Sequence, residues 1–484
     1  MGEFMGDVVV VVPGIMGSTL ARRKGDRLTP VWAPSAGVLV NAIRTLGNNI
    51  RSLTLPEDVG DGDPKDGIQP TGLVPDIHVV PGVWSINLGY SKLVDWLVKT
   101  FHLLPYEPGI DLTDEDRPIP NLICFAYDWR LSNRLNAERL KTTVEPVLES
   151  WRAQDSELHD AELVFVCHSM GGLVARWYVE RLGGAEITRK IITIGTPHRG
   201  SIRALEGLVN GIRRGIGPFS IRLTEMVRTF PSMYELLPAY QCVEHAAGLR
   251  APHEITVPEL ASDRVMRARL DFHDKLSASP TRATEGYDLH PIVGTRQPTW
   301  ATARIKNSRI IPSNLIGEDD LGGDGTVCRL AAAPSGIPLD SNIIVGLSEQ
   351  HGALQHHPGV FEQLYTALTG SKRVYMDDET SAAAIGLSVE QLHIAGEPIL
   401  LKASSSSDEV RLRATVADET GSIVASELLW RDEPGHFSAF LDPLPPGGYE
   451  IRVDRDGQTA NHVKKVTAST LVWDPATEID DYVG

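Results

Sequence analysis

The sequence predicts an α/β domain built on a mainly parallel sheet, followed by a small all-β domain. Three observations carry this. Short continuous apolar runs alternate with amphipathic helical patterns from residue 8 to about residue 370. One of those runs ends in a serine that leads directly into a glycine-rich helix start, His168-Ser-Met-Gly-Gly172. Beyond about Lys372 the pattern changes to short alternating segments separated by Ser, Gly, Pro and Asp.

Val8–Val12 is an unbroken β-branched run that Pro13 and Gly14 end, as expected of a strand buried on both faces of a parallel sheet. Further strands are expected at 121–126, 163–167, 191–194, 290–294 and 342–346. Helices are expected after Ser91, read as an N-cap. Others are expected where Leu140, Val144, Val147, Leu148 and Trp151 recur on one face, at 173–182, and at 360–368. Two stretches break the rhythm. Residues 25–84 are rich in Gly, Pro and Asp and predict a long loop. Residues 201–289 have helical patches but no clear strand and predict a cap inserted into the sheet domain. The expected organisation is a catalytic domain over 1–375 and a β-sandwich of immunoglobulin-like type over 385–484.

The 484 residues carry a formal charge of -17, which repels nucleic-acid phosphate and anionic headgroups, so nucleic acid is excluded as a partner. The four cysteines form no C-x-x-C pair and no disulfide framework. No stretch is long enough to cross a membrane, and the N-terminus lacks a leader pattern, so a cytosolic location is expected.

The strand into Ser169 and the helix out of it form the signature of a nucleophile elbow, and hence of an α/β-hydrolase fold. The turn needs small residues two positions either side of the serine. Gly171 supplies one, and Cys167 stands where glycine is usual. A serine hydroxyl needs a base, and the base an orienting acid. In this fold they follow in the order Ser, Asp or Glu, His. Asp324, in Gly322-Gly-Asp-Gly325, and His351, after the strand at 342–346, fill those places. Asp319 and Asp320 lack the glycine setting, and His356 and His357 lie at a helix start beside Pro358. The amide of Met170, at a helix N-terminus, and that of Ile15, after the first strand, are the expected oxyanion donors. His168 is expected to pack in or line the pocket. The chemistry requires no metal and no organic cofactor.

The strings Val12-Pro-Gly-Ile-Met-Gly-Ser18, Ala126-Tyr-Asp-Trp-Arg130, His168-Ser-Met-Gly171, Gly195-Thr-Pro-His-Arg-Gly-Ser201 and Gly323-Asp-Gly-Thr-Val327 occur in that order. Together they resemble the lecithin:cholesterol acyltransferase and lysosomal phospholipase A2 family over about 7–370. The segment from Pro231 to Pro238 is similar to part of that family's cap. The resemblance implies the same triad and the same two amides. It also implies an acyl track under a cap and a mobile lid; 25–84 is the natural lid, with Trp32 and Trp84 meeting substrate. Asp128 and Arg130 are expected to brace the core as an ion pair rather than to act in catalysis. The expected activity is hydrolysis or transfer of hydrophobic acyl esters. Alternatives are an esterase, thioesterase or amidase on a non-lipid substrate such as a macrolactone, or an inactive binding protein.

Overall fold

The computed structural model describes residues 4–33, 52–56, 59–75, 89–114, 117–214, 221–246, 248–277, 286–370, 385–389, 392–405, 410–418, 420–456 and 466–473. Val8–Val12 (β1) is one strand in from the edge of a six-stranded parallel sheet with Leu122–Cys124 (β2), Leu163–His168 (β3), Thr188–Ile194 (β4), Asp288–Gly294 (β5) and Val345–Leu347 (β6). The strand order is β6-β5-β4-β3-β1-β2. Val10 sits opposite Phe165 on one side and Ile123 on the other.

The alternation of side chains across the strands explains why these runs are apolar throughout. Val8, Val10, Val12, Phe165 and Cys167 face a core shared with the helices Asn133–Gln154 (α2) and Gly171–Arg181 (α3). Val9, Val11, Val164 and Val166 face the other way, against Ser91–Phe101 (α1) and Pro358–Thr369 (α5). Each face is therefore covered by helices, the arrangement that permits continuous hydrophobic strands. Together these features make an α/β-hydrolase fold.

Several local expectations are corrected. Tyr90, not Ser91, occupies the N-cap of α1, and no side chain caps that end. The strand expected at 342–346 is displaced to Val345–Leu347. The 25–84 segment is not all loop: Arg27–Trp32 and Ile68–Leu73 pair antiparallel on either side of Ser18–Lys24. Those parts are tied to the body by a backbone ladder, so they do not form a free lid. The cap does contain strands. After Ile202–Asn210 (α4), Val243–His245 and Gly248–Arg250 join Thr302–Lys306 and Arg309–Ser313 in one sheet. The cap is thus discontinuous: the chain leaves it for β5 and returns. These strands are three to five residues long, too short for a period-2 signal to stand out.

The Tyr127–Arg130 string braces the domain. Arg130, fully buried, grips Asp128 through Nε (2.9 Å) and Nη2 (2.7 Å) and reaches Asp66 and the Leu53 carbonyl through Nη1. Trp129 donates to the Ser18 carbonyl, and Ser232 of the cap donates to the Trp129 carbonyl.

The C-terminal strands form one curled eight-stranded sheet, in the order Ile385–Ser388, Ile399–Ser405, His436–Leu441, Ile423–Glu433, Leu412–Asp418, Gly447–Arg455, Val466–Trp473, Leu392–Ile394. Leu401, Leu412, Val416, Ile451 and Val453 fill its interior as a core of its own, which makes it a β-sandwich-like domain. The expected boundary at 375–385 falls largely in residues 371–384, outside the described residues.

The sandwich docks on the loop that carries His351. Thr467 Oγ1 donates to Glu349, Gln350 Nε2 donates to the Leu387 carbonyl at 3.1 Å, and Leu387 N donates to Gln297 at 3.2 Å. Burial pushes the Glu349 carboxyl up to about 8. Between an unfolded value of 4.5 and that folded value, the native state holds a proton the unfolded chain has released. The group's contribution to stability is therefore full at acid pH and is lost as pH rises through about 8. Glu349→Gln is expected to raise Tm relative to the unmodified chain at pH 8.5 and much less at pH 5.5, by about 2–4 °C per kcal/mol relieved. Thermal melts at the two pH values check it, and an equal shift at both would contradict it.

Candidate active site

Ser169 sits at the end of β3 with φ 52°, a left-handed conformation that non-glycine residues avoid. Its amide donates to the Ile194 carbonyl at 2.8 Å, which holds the turn against β4. Gly171 is required here, because a Cβ at that position would collide with the Val12 and Pro13 carbonyls. Cys167, fully buried at the usual glycine position, packs in the core with its thiol kept protonated by burial.

His351 Nε2 lies 2.8 Å from Ser169 Oγ, and His351 Nδ1 lies 2.7 Å from Asp324 Oδ2. A carboxylate only accepts, so Nδ1 carries the proton and Nε2 faces the serine as an acceptor. Asp324 Oδ1 accepts from the amides of Thr326 (2.9 Å) and Val327 (2.7 Å), and its backbone carbonyl accepts from His351 N (2.8 Å). All three side chains are buried, Ser169 least so at 6% exposed. Gly294 admits Asp324, whose Cβ leaves no room for a side chain there. Two bonds from the cap end of the site support the aspartate loop: Ser201 Oγ donates to the Thr326 carbonyl at 2.6 Å, and Arg203 to that of Gly325 at 3.2 Å.

Met170 stands at the N-terminus of α3 and Ile15 in the turn after β1. Among the described residues, neither amide donates a hydrogen bond. The Ile15 turn is held from several sides. Tyr127 donates to the Pro13 carbonyl, Trp32 Nε1 donates to the Met16 carbonyl at 2.9 Å, and Gly14 N donates to the Tyr90 hydroxyl at 2.8 Å.

Of the two places expected for His168, packed or lining the pocket, the structure has it packed. It is 2% exposed, and both nitrogens are engaged by the protein. Nε2 lies 3.1 Å from the His351 carbonyl and so must donate; Nδ1 lies 2.8 Å from the Tyr90 hydroxyl. Burial, reinforced by neighbouring His351, holds its imidazole well below the usual histidine range, so the ring is neutral and Tyr90 donates to Nδ1. A single chain of hydrogen bonds, Gly14–Tyr90–His168–His351, therefore joins the Ile15 turn to the backbone of the candidate base. Tyr90 is the residue sequence reasoning missed, since nothing in spacing links it to His168, 78 residues away.

The other candidates fall elsewhere. Asp319–Asp320 is an exposed hairpin arm. His357 accepts from Gly359 N as an N-cap, and His356 binds the Gly89 carbonyl. Trp32 is buried and lines an apolar cavity with Ile15, Met16, Leu53, Phe230 and Met233. Trp84 lies outside the described residues.

Residues 117–275 match the family model described as lecithin:cholesterol acyltransferase. The chain resembles that family. No curated protein matches the chain. Among solved structures it is similar to one titled as the Tle4–Tli4 complex, at 16% identity and TM-score 0.49, over 74% of this chain and 97% of the other. It is also similar to the mature lipase BlEst2 of Bacillus licheniformis, at 16% identity and TM-score 0.31, over 51% of this chain and 78% of the other. A further likeness, to CopC from Methylosinus trichosporium OB3b, has 16% identity and TM-score 0.15 over 18% of this chain and 87% of the other. Among the described residues, no helix is long and apolar enough to cross a membrane.

Tyr90→Phe removes the hydroxyl that joins Gly14 N to His168. The expected result is a fall in kcat of about tenfold on a short ester, corresponding to ~1.4 kcal/mol of barrier, with KM little changed. Steady-state kinetics check it; an unaltered kcat would show that the chain of hydrogen bonds does not position the site.

Proposed function

We propose that this protein is a serine hydrolase or acyltransferase that acts on esters with hydrophobic acyl groups. In this reading Ser169 is the nucleophile, His351 the base and Asp324 its orienting acid. The observation that carries it is the unbroken contact from Ser169 Oγ through the His351 ring to Asp324, with the aspartate itself fixed by two amides.

The steps follow from these contacts. His351 Nε2 takes the Ser169 proton as Oγ attacks the acyl carbonyl. Asp324 stabilises the imidazolium that forms. The carbonyl oxygen becomes an oxyanion, received by the amides of Ile15 and Met170 at the positive end of α3. His351 then returns the proton to the leaving alcohol as the tetrahedral intermediate collapses to an acyl-enzyme. Water or an acceptor alcohol repeats the sequence in reverse and frees Ser169. Each oxyanion donor is worth about 3 kcal/mol of barrier.

The apolar cavity supports a hydrophobic acyl group over a polar one. It is lined by Ile15, whose amide is the proposed oxyanion donor, and by Met16, Trp32, Trp129, Phe230 and Met233. Burying each methylene there stabilises the bound ester by about 0.8 kcal/mol. Residues 1–375 form the catalytic unit in this reading, and 385–484 an accessory domain.

Hydrolysis of p-nitrophenyl esters of graded acyl length is the test. The unmodified chain is expected to turn over with kcat/KM rising with length, and Ser169→Ala to lose activity by roughly 10⁴-fold or more. A Ser169→Ala variant that retains activity would overturn the assignment, and a flat length profile would overturn the hydrophobic acyl group. In the same assay, Asp324→Asn is expected to lower kcat by about 10⁴-fold, because His351 then loses the partner that fixes its tautomer. Added acceptor alcohol distinguishes transfer from hydrolysis through the ester product.

A further inference from the structure

A cleft of about 930 Å³ lies between the catalytic domain and the β-sandwich. Arg296, Gln297, Asp320 and Arg329 line it from one side, Lys402 and Ser404 from the other. It is thus built from both domains and is separate from the apolar cavity lined by Ile15 and Trp32.

Its charge is opposite to that of the chain. The protein carries a net -17, yet three cations face the cleft against one carboxylate. Among the described residues, none of Arg296, Arg329 and Lys402 forms an ion pair. Asp320 is the one carboxylate among the described lining residues, and it pairs with none of the three.

Two buried donors are also left open. Gln297 is 1% exposed; its Oε1 accepts from Leu387 N, and its Nε2 has no partner. Arg329 donates through Nη2 to the Leu339 carbonyl at 3.1 Å, and its buried Nε has no partner. Buried donors are normally satisfied, so two unpaired ones in the wall of the cleft are unusual.

We propose that this cleft binds a small, soluble, hydroxylated phosphomonoester. The dianion balances the local excess of two positive charges. Guanidinium forks suit phosphate oxygens. Asp320 has one oxygen on Gly322 N at 2.8 Å. As an acceptor-only group it selects a ligand that also carries hydroxyls. The volume falls within the range of small-molecule sites, about 300–1,000 Å³. The acidic surface beyond the cleft disfavours a nucleic acid or an anionic membrane, both of which would have to approach the whole molecule. The site stands whether or not Ser169 is the nucleophile.

Isothermal titration of the full chain tests it, with sn-glycerol 3-phosphate, inorganic phosphate and glycerol as probes and with vesicles of phosphatidic acid in phosphatidylcholine. Saturable binding of sn-glycerol 3-phosphate is expected, tighter than inorganic phosphate, with none for glycerol. The double variant Arg296→Gln/Lys402→Gln is expected to bind at least tenfold more weakly. Both side chains are exposed, and a thermal melt of the variant verifies that it folds. Asp320→Asn is expected to narrow the gap between sn-glycerol 3-phosphate and inorganic phosphate. Three results would overturn the proposal: no saturable binding, equal binding by the double variant, or binding to the vesicles without binding to sn-glycerol 3-phosphate. The last would assign the cleft to a lipid headgroup instead.

Discussion

The backbone reversal at Ser169 is the constraint on which the site depends. A serine held at φ 52° between a strand and a helix is tolerated only if its surroundings leave no alternative. The parallel sheet provides those surroundings. Its neighbour β4 receives the Ser169 amide at the Ile194 carbonyl, and the end of β1 presses so close that only glycine fits at 171. The same reversal points the start of α3 at the serine, which is what places the Met170 amide beside it. In the proposed mechanism, nucleophile and oxyanion donor are therefore two consequences of one turn.

A second layer holds what the turn presents. The buried Asp128–Arg130 pair would be costly without full compensation, because each charge has left water. Arg130 meets it with Asp66 and the Leu53 carbonyl as further acceptors. The neighbouring Tyr127 and Trp129 reach back to Pro13 and Ser18, so the brace also fixes the segment that carries Ile15. From the opposite side, Tyr90 and His168 connect that segment to the His351 backbone. The sandwich adds a third support through Glu349 and Gln350, immediately before His351 in sequence.

Legibility in the sequence followed the physics of each element. The strands buried on both faces, such as Val8–Val12 and Leu163–His168, announce themselves as continuous apolar runs. Their boundaries were less visible at the edges of the sheet, where β2 and β6 have three residues each and little pattern. The antiparallel additions at 27–32 and 68–73 were read as loop because their side chains are mostly exposed or half-buried and carry no apolar period. The cap strands escaped for the same reason, and because their partners at 302–313 lie some 60 residues further on.

By itself the sequence determined the fold class, the elbow at Ser169 and the chain order that singles out Asp324 and His351, because these depend on residue type and local spacing. The tertiary structure decided everything that depends on contacts between distant segments. It packed His168 in the interior, where both of its nitrogens are taken by groups 78 and 183 residues away. It joined Tyr90 to Gly14, across 76 residues. It also turned isolated cations at 296, 329 and 402 into one cleft, which no stretch of sequence contains, since charges from two domains share a cavity only once both domains have folded and docked.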